Sequence, residues 1–125
     1  VIVAIGVDSV ELARIEALWQ RSGERFLQRC FTAAEAEYCR RRARPAESLA
    51  ARFAAKEAVF KCLGTGWGAG LGWAEIEVVR DDHGAVGLTL HGAATARGAV
   101  LGIRHWHLSL THTATMATAF VVAEA

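Results

Sequence analysis

Arg52-Phe53-Ala54-Ala55-Lys56-Glu57-Ala58-Val59-Phe60-Lys61 is the stretch on which the fold depends. At about 100° per residue its charges fall into two narrow windows, Arg52 with Lys56 and Glu57 with Lys61, each pair about 40° apart. Apolar side chains occupy nearly everything between them. A helix that is apolar almost all round is buried, so other elements are expected to pack on several of its sides. Pro45, the only proline, suits the first turn of this helix, and Gly64 suits the position just past its end.

Working toward the N-terminus, Thr32-Ala33-Ala34-Glu35 has the form of a capping box and starts a short helix that ends in the basic run Arg40-Arg41-Arg42. Before it, a helix is expected from residue 10 to about 20. Leu12, Ile15, Trp19 and, if the helix continues, Phe26 share one stripe of it, and Arg14, Leu18, Arg21 and Arg25 share another, with a possible break at Ser22-Gly23. Residues 1–7, rich in β-branched side chains, read as a strand buried on both faces and ending at Asp8. Asp8 with Glu11 three positions later has capping-box spacing for the helix that follows.

Working toward the C-terminus, Gly64-Thr65-Gly66-Trp67-Gly68-Ala69-Gly70 leads into a hairpin whose strands are expected at 73–80 and 86–90, about the turn Asp81-Asp82-His83-Gly84. A small helix is expected over about 93–101. Two strands follow at 105–113 and 116–123, in the first of which Trp106, Leu108 and Leu110 alternate with His107, Ser109 and Thr111. The order strand, helices, two strands, helix, two strands argues for an α+β domain over 1–125, a largely antiparallel sheet packed against helices.

With 125 residues the chain fits one domain that buries about two-thirds of its unfolded surface. Its 53% hydrophobic content is high for so small a monomer, so part of the apolar surface is expected to lie between subunits. The formal charge of +1 conceals an asymmetry: 11 of the 14 Lys and Arg lie at or before residue 61 against 8 acids, and 3 lie after it against 5. An anionic partner is expected on the first half. Nucleic acid is not expected, because the net charge is small and few aromatics lie near the basic residues. Cys30, Cys39 and Cys62 form neither a disulfide framework nor a Cys-x-x-Cys zinc motif, which suits a reducing cytoplasm. The apolar run 1–7 is too short for a signal core or a membrane span, so neither export nor membrane insertion is expected.

Two readings of Glu57 and Lys61 stand side by side: an i,i+4 ion pair on a helix surface, or a buried carboxylate that needs a lysine or a metal to offset its charge. Asp8 likewise reads as a helix cap or as a carboxylate at a strand end, where metal and phosphate chemistry is common. Two carboxylates on separate elements suit Mg²⁺, which takes oxygen ligands and is completed by water and substrate phosphates. The glycine-rich loop follows a helix and precedes a strand, the reverse of the order in a P-loop or a dinucleotide fingerprint, so both are excluded. His105 and His107 share a strand face, but His112 falls on the other and no third zinc ligand is obvious. No Gly-x-Ser-x-Gly elbow supports a Ser-His-Asp triad. The arginine stripe with Leu18 at its centre is either a solvated face or an apolar anchor in a basic rim, fit for an acidic protein.

Ile2-Val3-Ala4-Ile5-Gly6-Val7-Asp8, Arg52-Phe53-Ala54-Ala55-Lys56-Glu57-Ala58, Leu63-Gly64-Thr65-Gly66 and His107-Leu108-Ser109-Leu110-Thr111-His112-Thr113 together closely resemble the holo-acyl-carrier-protein synthase family of small 4′-phosphopantetheinyl transferases. The motifs occur in that family's order and spacing, and the likeness runs from Ile2 to Glu124. It implies transfer of 4′-phosphopantetheine from coenzyme A to a serine of acyl carrier protein, with release of adenosine 3′,5′-bisphosphate, for fatty acid biosynthesis. It also implies a homotrimer with active sites between subunits. Carried over by position, Asp8 and Glu57 bind Mg²⁺ and Lys61 sits beside the phosphates. His107 and Thr111, with Lys56, Gly64 and Gly66, match the region of the coenzyme A nucleotide. Arg14, Leu18, Arg21 and Arg25 match the helix that docks the carrier protein, while Arg52 and Lys56 serve the nucleotide end or a subunit interface. The chain departs from the family in its turn His83-Gly84-Ala85-Val86, which lacks the usual Lys-Pro or Arg-Pro after glycine, and in Cys62, where alanine is usual.

Overall fold

The computed structural model describes residues 1–64 and 70–125. Helix α4 (Pro45–Leu63) is its axis, opened by Pro45 in its first turn and closed by Gly64 in the left-handed conformation at φ 71°. Leu49, Ala50, Ala54, Ala55, Ala58, Val59 and Leu63 are fully buried along it. The run of alanines gives α4 a thin waist, which lets a sheet and further helices approach from different sides.

On one side lies a three-stranded antiparallel sheet in the order β1 (Ile2–Glu11), β5 (Met116–Glu124), β4 (His105–His112). The inner face of β5, Ala117, Ala119, Val121 and Ala123, is fully buried. Gly6 of β1 comes so close to α4 that a Cβ there would stand 3.0 Å from the Ala58 carbonyl carbon, nearer still to its oxygen, and 3.2 Å from Cys62 Sγ. Only glycine permits that approach. On another side pack α1 (Leu12–Ser22), α2 (Glu24–Cys30) and α3 (Ala33–Arg40). Gly23, at φ 56°, makes the expected break between α1 and α2. The Thr32/Glu35 capping box forms in both directions. The hairpin β2 (Ile76–Arg80) and β3 (Val86–Leu90) and helix α5 (Gly92–Val100) complete the chain. In the hairpin turn Asp81 Oδ1 accepts from the His83 and Ala85 N–H groups at 2.8 and 2.9 Å, which fixes the bend without a proline.

Three expectations are corrected. Strand β1 runs on to Glu11, because its pairing with β5 continues through Ser9–Thr118 and Glu11–Met116. Helix α1 therefore begins at Leu12, and Asp8 caps nothing; Glu11 holds the cap position without a side-chain bond. Nor is β1 buried on both faces: Ile5 and Val7 are 62% and 51% exposed, since α4 covers only the inner face. Residues 73–75 form a 3-10 turn ahead of β2 rather than strand.

Candidate active site

Strand alternation turns Asp8, like Gly6 and Val10, toward α4, where it meets Glu57 and Lys61. The Lys61 ammonium donates to the Val7 carbonyl at 2.7 Å and lies 3.3 Å from Asp8 Oδ1, so it crosses to β1. The Glu57 carboxylate has Arg14 Nη1 at 3.9 Å. The in-helix Glu57 to Lys61 pair is thus replaced by a four-membered cluster from three elements.

Two features of the cluster call for a cation. Among the described residues Asp8 Oδ2 is buried without a hydrogen-bond partner. Burial and then the neighbouring Asp8 charge raise the Glu57 pKa above its ordinary value, and Arg14 and Lys61 offset this only in part. A hard divalent ion between the two carboxylates would satisfy the orphaned oxygen and relieve the repulsion. No group of three or more His, Cys, Asp or Glu among the described residues could hold a metal. Two carboxylates completed by water and phosphate oxygens fit Mg²⁺; zinc would require a fuller protein shell.

A second site lies at the far end of β4. Tyr38, Arg42, Arg44, Arg52, Arg80, Thr111 and His112 help to line a pocket of about 210 Å³. Arg52 is 2% exposed and its Nε has no partner among the described residues. Its guanidinium lies 4.5 Å from the centroid of the Tyr38 ring, with those of Arg42 and Arg80 at 5.4 Å. This clustered positive charge, one member of it buried and, among the described residues, only Arg44 and His112 facing a carboxylate of the lining, Glu47 at 3.2 and 3.8 Å, could receive an anion. Sequence alone leaves Arg52 to the nucleotide end or a subunit interface and gives no reason to group it with Arg42, Arg44, Arg80, Tyr38 and His112. The signal available was an arginine in an apolar helix with no acid three or four positions away.

A third feature is a groove of about 340 Å³ between α1, α2 and α4, with Arg14, Leu18 and Arg25 on its rim and Phe26, Phe53 and Trp73 within. Arg14, Leu18 and Arg25 thus converge despite the break at Gly23, whereas Arg21 is exposed at the end of α1 and does not line the groove.

Of the residues matched to the nucleotide, Lys56 requires correction. It is fully buried, its ammonium 2.7 Å from Glu35 Oε1, and it faces no solvent that a phosphate could reach. Gly64 is exposed at the end of α4, and Gly66 lies outside the described residues. His107 and Thr111 are exposed on the outer face of the sheet, opposite to Asp8; Thr111, at the end of β4, also lines the arginine pocket, while His107 Nε2 is 3.0 Å from Glu124 Oε1. Within one chain they do not reach the Asp8–Glu57 cluster.

Residues 4–120 match the model of the 4′-phosphopantetheinyl transferase superfamily. The chain is 45% identical to the holo-[acyl-carrier-protein] synthase of Koribacter versatilis over 98% of both proteins. Its fold superposes on the crystal structure of the synthase of Neisseria meningitidis with a TM-score of 0.91 at 34% identity, covering 100% of each chain. With the Helicobacter pylori synthase, solved in complex with coenzyme A, the TM-score is 0.85 at 31% identity, over 97% of this chain and 100% of that one. On sequence and fold together, the chain belongs to the 4′-phosphopantetheinyl transferase superfamily.

Proposed function

We propose that this chain transfers 4′-phosphopantetheine from coenzyme A to a serine of acyl carrier protein, in the cytoplasm and for fatty acid biosynthesis. The observation that carries the reading is the convergence of Asp8, Glu57 and Lys61, with one buried carboxylate oxygen left without a partner among the described residues. Asp8 and Glu57 would hold Mg²⁺, which when bound supplies positive charge to the pyrophosphate oxygens as negative charge builds on them. Lys61 is fixed beside them by the Val7 carbonyl and stabilises the departing bisphosphate. The acceptor serine oxygen bonds to the β-phosphorus, and the bond from that phosphorus to the bridging oxygen breaks, which frees adenosine 3′,5′-bisphosphate. Glu57 takes the serine proton directly or through a water that it orients.

The arginine pocket suits the phosphates at the nucleotide end of coenzyme A, and the groove beside Arg14 suits the acidic carrier. The outer face of the sheet supports a homotrimer. Ile5, Val7 and Phe120 are 62%, 51% and 45% exposed there, a patch that a second chain would cover. His107 and Thr111 share that face, so a neighbour docked on it would bring them toward a site that a single chain leaves open.

Apo acyl carrier protein incubated with the chain, coenzyme A and Mg²⁺ should gain the mass of one phosphopantetheine arm. No gain, under conditions where a known synthase is active, refutes the reading. Glu57→Gln should abolish the gain while leaving the melting curve intact.

A further inference from the structure

Lys56 neighbours Glu57 in sequence but points into the core. Its ammonium donates to Glu35 Oε1 at 2.7 Å, to the Trp73 carbonyl at 3.3 Å and to the Ile76 carbonyl, which uses all three of its protons. Glu35 is equally occupied: Oε1 also accepts the Thr32 N–H and Oε2 accepts the Val78 N–H, both at 3.0 Å. A pair buried this completely contributes little net stability, because desolvation offsets its attraction. Burial holds the Lys56 pKa below its ordinary value even with Glu35 against it. An apolar pair of similar volume would serve the fold as well. What only the ammonium does is grip the Trp73 carbonyl in the 3-10 turn and the Ile76 carbonyl at the start of β2.

That grip is transmitted toward the reaction centre. The Trp73 ring stacks on Phe53 with centroids 4.5 Å apart and planes at 19°, and meets Phe60 edge-on at 5.1 Å. The Arg14 guanidinium lies 5.4 Å from the Phe53 centroid and 3.9 Å from Glu57. Trp73 and Phe53 are also part of the arginine-rimmed groove. A shift of the 73–76 backbone would therefore move both the groove and the cation that faces Glu57.

We propose that Lys56 is a positioning residue for acceptor docking: by tethering the carbonyls of Trp73 and Ile76 it fixes the Trp73–Phe53 stack on which Arg14 is held beside Glu57. The inference rests on the transferase reading, and it gives Lys56 a role on the acceptor side in place of contact with the donor's phosphates.

The test uses the full chain with apo acyl carrier protein, coenzyme A and Mg²⁺. Lys56→Met/Glu35→Gln removes both buried charges and the tether, Trp73→Ala removes the stacked ring, and the triple variant combines them; a melting curve accompanies each. In Lys56→Met/Glu35→Gln the KM for carrier should rise on the order of tenfold, while the KM for coenzyme A stays within about twofold. The triple variant should be no worse than Trp73→Ala alone, because the two changes act along one path. A folded Lys56→Met/Glu35→Gln protein with wild-type carrier KM overturns the proposal. So do equal rises in both KM values, or losses that multiply in the triple variant. If the paired variant does not fold, Lys56→Gln/Glu35→Gln, a neutral pair that shortens the tether and leaves the groove lining untouched, decides: a raised carrier KM with unchanged coenzyme A KM supports the proposal, and an unchanged carrier KM overturns it. A wild-type chain that forms no holo carrier refutes the transferase reading instead, and that control is read first.

Discussion

Replacing Gly6 with alanine should harm activity far more than stability. The added Cβ would stand 3.0 Å from the Ala58 carbonyl carbon and 3.2 Å from Cys62 Sγ. Carbon atoms in good contact are about 3.5–4.0 Å apart, so β1 and α4 must separate by roughly 1 Å. The obstacle is backbone, so no side-chain rotation relieves it. Overpacking of this kind costs about 1–3 kcal/mol, which in a domain of this size lowers Tm by roughly 5–15 °C. Asp8 is two residues along on the same face of β1, and the displacement carries it away from Glu57. A misplacement of about 1 Å can reduce turnover on the order of a hundredfold. Steady-state transfer across a Mg²⁺ titration, run below the variant's Tm, should show that loss together with a raised half-saturating Mg²⁺ concentration. A folded Gly6→Ala protein with wild-type turnover and Mg²⁺ requirement would refute the argument that the close approach at Gly6 sets the carboxylate pair.

Arg52→Met should raise the KM for coenzyme A by roughly ten- to a hundredfold, since a charged hydrogen bond contributes about 1.5–3 kcal/mol, with little change in the KM for carrier; equal effects on both would remove Arg52 from the donor site. Arg14→Glu should raise the carrier KM and flatten the dependence of kcat/KM on ionic strength, because it removes an attraction that salt screens; an unaltered salt profile would place the carrier elsewhere. Glu75 accepts the Gly72 N–H at 2.7 Å and the Ala94 N–H at 3.1 Å, and the Gly72 bond leads in holding its pKa below the ordinary 4.5. A depressed carboxylate contributes stability above its unfolded pKa and loses it as pH falls through the folded one. Tm should therefore decline as pH drops below 4.5, less steeply in Glu75→Gln; parallel slopes would show that Glu75 has no part in it.

Helix α4 was legible because three local signals agreed: an apolar surface all round, Pro45 at the start and Gly64 at the end. The same holds for α3, whose Thr32 and Glu35 satisfy each other within four residues, and for the break at Gly23. Elements set by distant partners were not. Asp8 and Glu11 have the spacing of a cap, yet pairing with a strand more than a hundred residues away extended β1 and turned Asp8 inward. A run such as residues 1–7 reads as doubly buried because hydropathy does not reveal whether the chain supplies a second layer to cover it. Lys56 carries no mark of Glu35, 21 positions earlier in sequence. Nor could periodicity find the arginine pocket, whose members come from α3, the turn before α4, α4 itself, β2 and β4. Glu57, Lys61 and Asp8 stand between: pattern alone leaves each with an ion-pair or cap reading of equal weight, and only the resemblance of their motifs to a known family singles them out.

Strand β1 has no idle side. Asp8 faces inward to Glu57 and Lys61, while Ile5 and Val7 face outward and are more than half exposed. Under the proposed assembly through the outer face, the competence of each chain becomes a function of how many others surround it. Output then scales more steeply than dose: diluted below the dissociation constant of the assembly, the protein would lose activity per chain while every fold element stayed in place.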